Sequence, residues 1–245
     1  MRRMIPVTLL VTLLFTLLHG ETSVLDVALP SVRIPSILQP CDVHGIVQKL
    51  GRLTKLPVGF EGGPECIGKS DAALATGGWL VDQRVSTSSE IIDLAGLTLR
   101  QALDRVVALA PDYRWKEMNG VAVVRPVTAW DDPTNGLNQH IEPFSVVDER
   151  LVPALSIMLG RSGSGDIQGK INAVSASLTF PGGTLLDGLN ALMESHHAGG
   201  WDVVTVAEPP AGYEPGPLLV IVVRANDRPY GAAASTAIPL SRLVR

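Results

Sequence analysis

The clearest hydrophobic pattern in the chain lies between residues 94 and 125. From Leu99, small and apolar side chains recur at i+3, i+4, i+7, i+8 and i+11, which is the spacing of one face of an α-helix. Thr98 and Gln101 have the spacing of a capping box at the start of this helix, and Pro111 marks its end.

Two β-strands are predicted directly after this helix. Residues 113–118 and 121–125 read as strands, and Asn119-Gly120 between them is typical of a two-residue hairpin turn. A helix with one apolar stripe must bury that stripe against another element. We therefore expect the helix to pack on a sheet that contains this hairpin.

The preceding residues add four elements to this helix and hairpin. They are a short edge strand at 31–35, a helix capped by Asp42 with apolar positions from Val43 to Leu53, a strand at 57–61 and a strand at 90–94. The periodicity is absent from 62–89, which we interpret as an irregular insertion. The predicted order is therefore β-α-β-β-α-β-β.

The same order returns in the second half of the chain. A shift of 86 positions places Thr98, Leu99, Ala102, Leu103, Val106 and Val107 on Thr184, Leu185, Gly188, Leu189, Leu192 and Met193. A shift of 109 places Val43, Ile46 and Leu50 on Val152, Leu155 and Leu159. We predict an α+β fold of two tandem units, each a small sheet with two helices packed on one face.

These patterns also divide the chain. The predicted parts are a signal peptide at 1–20, a first unit at 21–128, a linker at 129–139, a second unit at 140–224 and a flexible tail at 225–245. The first part has Arg2 and Arg3, then an apolar run from Met4 to Leu18, then the small residue Gly20, which is the pattern of a secretory signal. We expect an exported protein, periplasmic or secreted, that meets the membrane only through this signal.

The charge of the chain argues against a nucleic-acid partner. The formal net charge is −4, and removal of Arg2 and Arg3 would leave 18 basic side chains against 24 acidic ones, or −6. A protein that binds nucleic acid needs a basic face to neutralise phosphates.

The chain has two cysteines, Cys41 and Cys66. In an oxidising compartment a disulfide between them would close a loop of about 25 residues and contribute about 3 kcal/mol. The alternative is a reactive thiol at Cys41, just ahead of a helix.

Two motifs raise the question of catalysis. Residues 63–70 match the phosphate-loop pattern G-x-x-x-x-G-K-[ST], but Pro64 lacks an N–H group and Gly77-Gly78 follow within two turns, so we interpret the match as chance. The neighbours His196 and His197 point in different directions on a helix and favour a structural or solvated role. His44 and His140 are isolated and are expected at the surface.

A family resemblance rests on Ser31-Val-Arg-Ile-Pro35, on Leu97-Thr-Leu-Arg-Gln-Ala-Leu103 and on Tyr113-Arg-Trp115. These segments resemble the short N-terminal domain shared by secretins and TonB-dependent receptors, and residues 141–223 resemble it more loosely. The resemblance implies a small periplasmic α+β module that binds other proteins and has neither catalytic residues nor a cofactor.

We therefore expect a non-catalytic interaction module of the cell envelope, an accessory of a secretion or outer-membrane transport system, whose partner is an envelope protein. An exposed sheet edge would accept a strand from that partner. The candidate edges are Val32, Arg33 and Ile34, and Val121 and Val123. Two alternatives remain open: an envelope hydrolase or nucleotide-dependent enzyme, and a structural subunit that assembles with itself.

Overall fold

The fold is mixed α+β, as predicted. A computed structural model describes residues 24–26, 28–35, 38, 40–62, 91–160, 168–169, 174–206, 216–224 and 233–243. The α-helices in this part of the chain are α1 (Pro40–Thr54), α2 (Leu99–Leu109), α3 (Leu151–Met158) and α4 (Leu185–Ser195). None of the helices in the described ranges is long and apolar enough to cross a membrane.

The strands of the described residues fall into one large sheet and three small ones. In chain order they are β1 (Arg33–Pro35), β2 (Val58–Gly62), β3 (Ile91–Asp93), β4 (Tyr113–Met118), β5 (Val121–Pro126), β6 (His140–Ile141), β7 (Phe144–Glu149), β8 (Gln168–Gly169), β9 (Ala176–Phe180), β10 (Gly183–Thr184), β11 (Gly200–Val206), β12 (Leu218–Arg224) and β13 (Ala233–Pro239). The pairs β1 with β3, β6 with β10 and β7 with β9 form the small sheets.

The large sheet joins both halves of the chain. Its strand order is β4-β5-β2-β11-β12-β13-β8, and β2 lies parallel to β5 on one side and to β11 on the other. The prediction that each unit has a small sheet of its own is therefore wrong. Val58, Phe60, Trp201 and Val203 are buried, and pairing β2 with β11 satisfies backbone groups of both strands that would otherwise be buried without partners.

Helices cover both faces of this sheet. The apolar sides of α1 and α2 pack with Phe60, Ala122 and Val124, whereas α3 and α4 pack with Val121, Trp201 and other residues that point to the opposite face. Side chains of β5 thus belong to both cores. The helices of each half lie on one face, as expected, but the two halves use opposite faces.

The predicted helix starts are observed at α2 and α4. The Thr98 and Thr184 hydroxyls accept from the backbone N–H groups of Gln101 and Asp187, whose side chains accept from the cap residues in return. The turn at Asn119-Gly120 has positive φ at both residues, which the two-residue hairpin requires.

The start of α1 differs from the prediction. The helix begins at Pro40, so Asp42 lies in its first turn instead of at its N-cap. Leu53 is 42% exposed, which removes it from the buried stripe. The buried residues of α3 repeat those of α1 with a shift of 108 positions instead of 109: Val43, Ile46, Val47 and Leu50 correspond to Leu151, Ala154, Leu155 and Met158.

The tail predicted to be flexible contains β13. This strand pairs with all of β12 and, at Ala234 and Ser235, with β8. Strand β12 is buried along almost its whole length, so its second edge needs a partner, and Ile238 adds to the core. The predicted signal peptide and nearly all of the insertion at 62–89 lie outside the described residues.

Candidate interaction surface

Strand β4 forms one end of the large sheet. Among the described residues it pairs with β5 and with no other strand. The Val127 N–H donates to the Asp112 oxygen, which fixes the alternation of the antiparallel ladder. The backbone N–H and C=O groups of Arg114 and Lys116 therefore point towards β5. Those of Trp115 lie in the plane of the sheet and point away from β5.

The face of β4 beside α2 carries a connected polar network. The Trp115 Nε1–H donates to Asp104 Oδ1 at 2.8 Å, and the Arg100 guanidinium lies 5.6 Å from the centre of the indole. Arg100 Nη2 also donates to Glu117 Oε2 at 2.8 Å, and this bond is the main cause that raises the pKa of Arg100. These contacts hold the indole of Trp115 in one orientation at the sheet edge.

The opposite face of β4 carries cations over the Trp130 ring. Lys116 Nζ lies 4.3 Å from the ring centre, and the guanidinium of Arg114 lies 5.5 Å from it. Arg114 also lies 3.9 Å from the Asp131 carboxylate. Charged side chains on an edge strand disfavour unspecific strand pairing, so an incoming strand must match this pattern.

The structure changes the list of candidate edges. Val121 and Val123 lie on β5, which is paired on both sides and buried from Val121 to Arg125, so the prediction of an edge there is wrong. A continuous apolar run such as Val121 to Val124 is typical of a central strand, not of an edge. Val32 and Ile34 are buried at β1, which pairs with β3 on one side, while Arg33 is exposed.

A tryptophan contact recurs at the strand that corresponds to β4 in the second half. The Trp201 Nε1–H on β11 donates to Asn190 Oδ1 on α4 at 2.9 Å. Trp201 follows Trp115 by 86 positions, and Asn190 follows Asp104 by the same 86. The shift of 86 positions between the two halves is the sequence signal for this repeated contact.

The indole of Trp201 covers the strand that docks beside β11. In the parallel register Trp201 lies opposite Gly59 of β2. A Cβ atom at Gly59 would lie 2.3 Å from the indole carbon Cζ2, so the close approach requires glycine. This contact forms part of the junction between the two halves.

A buried carboxylate forms a second part of that junction. Asp202 on β11 is fully buried, and its Oδ1 accepts from His44 Nε2 at 2.9 Å and from Gln48 Nε2 at 2.5 Å, both on α1. Its Oδ2 accepts from the guanidinium of Arg224. Burial raises the pKa of Asp202, but the charge of Arg224 and the contact with His44 outweigh it and hold the pKa below the ordinary value.

The expectation that His44 lies at the surface is therefore wrong. Its side chain is completely buried and bonded to Asp202. Asp202 lies 158 positions away in the chain, so the spacing of residues near His44 does not reveal this partner. The sequence signal for a buried partner is the carboxylate of Asp202, a charged group within the apolar run of β11.

A second buried ion pair fixes the segment predicted to be a linker. Arg125 Nε donates to Glu61 Oε2 at 2.5 Å, and its other nitrogens donate to the side chains of Asn135 and Asn138 at 2.9 and 3.0 Å. Leu137 between them is fully buried. Residues 129–139 are therefore anchored to the core through Leu137 and through the hydrogen bonds of Asn135 and Asn138 to Arg125, whereas Asp131, Pro133 and Thr134 are exposed.

The remaining sequence candidates do not converge on one place. His196 is buried and lies 3.1 Å from the Glu149 carbonyl oxygen, which agrees with a structural role. No group of three or more possible metal ligands occurs in the parts of the chain that the structure describes. Cys66 and the phosphate-loop match lie outside those parts, so the disulfide stays a prediction.

A cleft of about 280 Å³ lies in the second half, between β6, the end of α3 and the end of β13. Its polar lining comes from His140, Glu142 and Arg242. It takes no residue from the first half and lies apart from the Asp202 cluster.

Comparison with family models, with curated proteins and with solved structures finds no match for this chain.

Proposed function

We propose that this chain is an exported protein of the cell envelope that binds other proteins and has no catalytic role. The observation that supports the proposal is the position of β4 at the end of the large sheet. An end strand presents backbone donors and acceptors, here those of Trp115, and a partner that adds a strand uses them.

The side chains around β4 supply the specificity that such binding needs. The indole of Trp115 is fixed on one face, and Lys116 and Arg114 are placed over Trp130 on the other. A partner strand beside β4 meets an aromatic surface on one face and positive charge on the other. Tryptophan and arginine are also the residue types that dominate binding energy in protein interfaces.

The two buried ion clusters, around Asp202 and Glu61, support a structural role for the ionisable groups of the core. The polar contacts of Asp202 and Glu61 described above lie within the protein, and both clusters join elements that are distant in sequence. They stabilise the scaffold that presents β4.

The test is site-specific capture at β4. A photoreactive amino acid replaces the exposed Lys116, and the protein is expressed in bacterial cells that export it to the envelope. Crosslinked proteins are then identified by mass spectrometry. The same experiment is repeated with Trp115→Pro, which removes the outward N–H, and with Trp115→Phe, which keeps it. We expect an identified adduct that persists with phenylalanine and disappears with proline. Adducts of equal yield in both variants would contradict binding at this edge.

A further inference from the structure

The side chains of β4 that lie beside Trp130 carry positive charge that the described residues do not neutralise. Lys116 is exposed, and no ion pair joins it to another described residue. Arg114 lies 3.9 Å from the Asp131 carboxylate, which is longer than a hydrogen bond, and its Nε–H group is unpaired within the same part of the chain. Both cations are therefore available to a carboxylate from outside the protein.

The third cation near Trp130 is already neutralised. The guanidinium of Arg125 lies 5.1 Å from the centre of the Trp130 ring, but its nitrogens donate to groups inside the protein, among them the Glu61 carboxylate. The charge that remains on this face belongs to Arg114 and Lys116, which lie two positions apart on the end strand.

The neighbouring strand offers no acidic residue to these two cations. In the register of β4 with β5, Arg114 lies opposite Arg125 and Lys116 lies opposite Val123. Residues directly opposite each other are close cross-strand neighbours, and opposite charges there stabilise the pairing whereas like charges oppose it. The place for a matching negative charge is therefore on the other side of β4, where a partner strand would lie.

The alternation of an added strand determines which of its residues meet the cations. The residue opposite Trp115 would have its side chain on the face of α1 and α2, because Trp115 packs there. The residues before and after it would lie opposite Arg114 and Lys116 and point to the face of Trp130, whichever way the strand runs. An apolar residue flanked by two acidic ones would match all three positions.

The face of α1 and α2 disfavours an acidic residue opposite Trp115. The Asp104 carboxylate accepts from the Trp115 indole on this face. The guanidinium of Arg100 is already bonded to Glu117 and lies 3.5 Å from Asp26. A further carboxylate would meet negative charge here without a free cation, whereas an apolar side chain can pack on the indole.

We propose that the partner of β4 is an acidic extended segment in which aspartate or glutamate alternates with apolar residues, with two acidic side chains facing Arg114 and Lys116. The inference rests on the proposed function, because it names the kind of strand that β4 binds. The chain as a whole has a net charge of −4, which repels an acidic partner. Salt screens that repulsion beyond about 8 Å, so the contacts at the strand edge decide the preference.

The experiment compares three short peptides for binding to the full-length protein by fluorescence anisotropy. The peptides have blocked ends and a fluorescent label: Thr-Glu-Val-Glu-Thr, its charge reversal Thr-Lys-Val-Lys-Thr, and Thr-Glu-Glu-Val-Thr, which cannot place both acids on one face. We expect the first peptide to bind about tenfold more tightly than either control, and its binding to weaken as salt is added.

Reversal of one charge on the protein should reverse the preference. Lys116→Glu is expected to bind the lysine peptide more tightly than the alternating acidic one. The matched control is Lys49→Glu, which makes the same charge change at an exposed position of α1 and should leave the preference unchanged. Circular dichroism checks that the variants are folded.

A third measurement locates the bound peptide. The alternating acidic peptide should slow amide exchange at Trp115, whose N–H it would use, and its binding should be lost in Trp115→Pro and kept in Trp115→Phe.

Four results would overturn the inference: no binding of the alternating acidic peptide, equal affinity for all three peptides, a preference that Lys116→Glu does not change, or binding without slower exchange at Trp115. If one of these results is found together with the proline-sensitive crosslink to an envelope protein, the acidic partner is rejected and the proposed function is kept. Without that crosslink, both are rejected.

Discussion

Replacing Asp202 with asparagine tests whether the two halves form one cooperative core. The change keeps the shape of the side chain and removes the charge that His44, Gln48 and Arg224 surround. A hydrogen bond to a charged group contributes about 1.5–3 kcal/mol, and breaking a buried ion pair costs about 3–5 kcal/mol. The Arg224 side chain is 24% exposed, so water can replace part of what it loses. We expect the free energy of unfolding to fall by about 3 kcal/mol.

Urea unfolding followed by tryptophan fluorescence measures this loss. With a slope of about 2.5 kcal/mol per molar urea, a loss of about 3 kcal/mol lowers the midpoint by about 1.2 M. The matched control is Asp131→Asn, because Asp131 is 89% exposed and 3.9 Å from its arginine. That control is expected to change the free energy by less than about 0.5 kcal/mol.

The pH dependence gives the same prediction a second readout. Because the pKa of Asp202 is lowered in the folded state, its contribution is present above the unfolded pKa of about 3.9 and disappears as the pH falls through the folded value. The difference between the unchanged protein and Asp202→Asn should therefore shrink below about pH 4. A midpoint unchanged by Asp202→Asn at pH 7, or two separate unfolding transitions in the unchanged protein, would refute the reasoning.

Four further substitutions test other parts of the fold by the same urea assay. Thr98→Ala and Thr184→Ala each remove the hydroxyl of a capping box and should cost about 1 kcal/mol; equal midpoints to the unchanged protein would contradict the caps. Arg125→Met leaves Glu61 buried without its charge partner and should cost about 4 kcal/mol, while adding Glu61→Gln should recover part of the loss; no recovery would contradict the pair. Gly59→Ala forces the indole of Trp201 to move and should cost about 2 kcal/mol; a neutral result would contradict the close approach.

Local elements of this fold follow from local sequence. The helix that begins after Thr98 and the hairpin around Asn119-Gly120 lie where the pattern of apolar positions, the capping pair and the turn residues place them. Each of these signals acts within a few residues and depends little on the rest of the chain.

The way the elements combine depends on contacts between distant residues. The apolar run at Val121 to Val124 is compatible with an edge or with a central strand, and the presence of β2 beside it decides the matter. His44 and Arg125 are buried because Asp202 and Glu61 compensate them from 158 and 64 positions away. The turn-forming residues at 129–139 and the small residues of β13 have no pattern of their own and take their structure from the core they meet.

Amide hydrogen exchange at single residues of β4 tests the central claim that this strand presents an open edge. In dilute protein we predict fast exchange at Trp115, whose N–H points out of the sheet, and slow exchange at Arg114 and Lys116, whose N–H groups point towards β5. A bound partner strand should slow exchange at Trp115 and leave its two neighbours unchanged. Slow exchange at all three amides in dilute protein would mean that the edge is already covered, and would contradict the account.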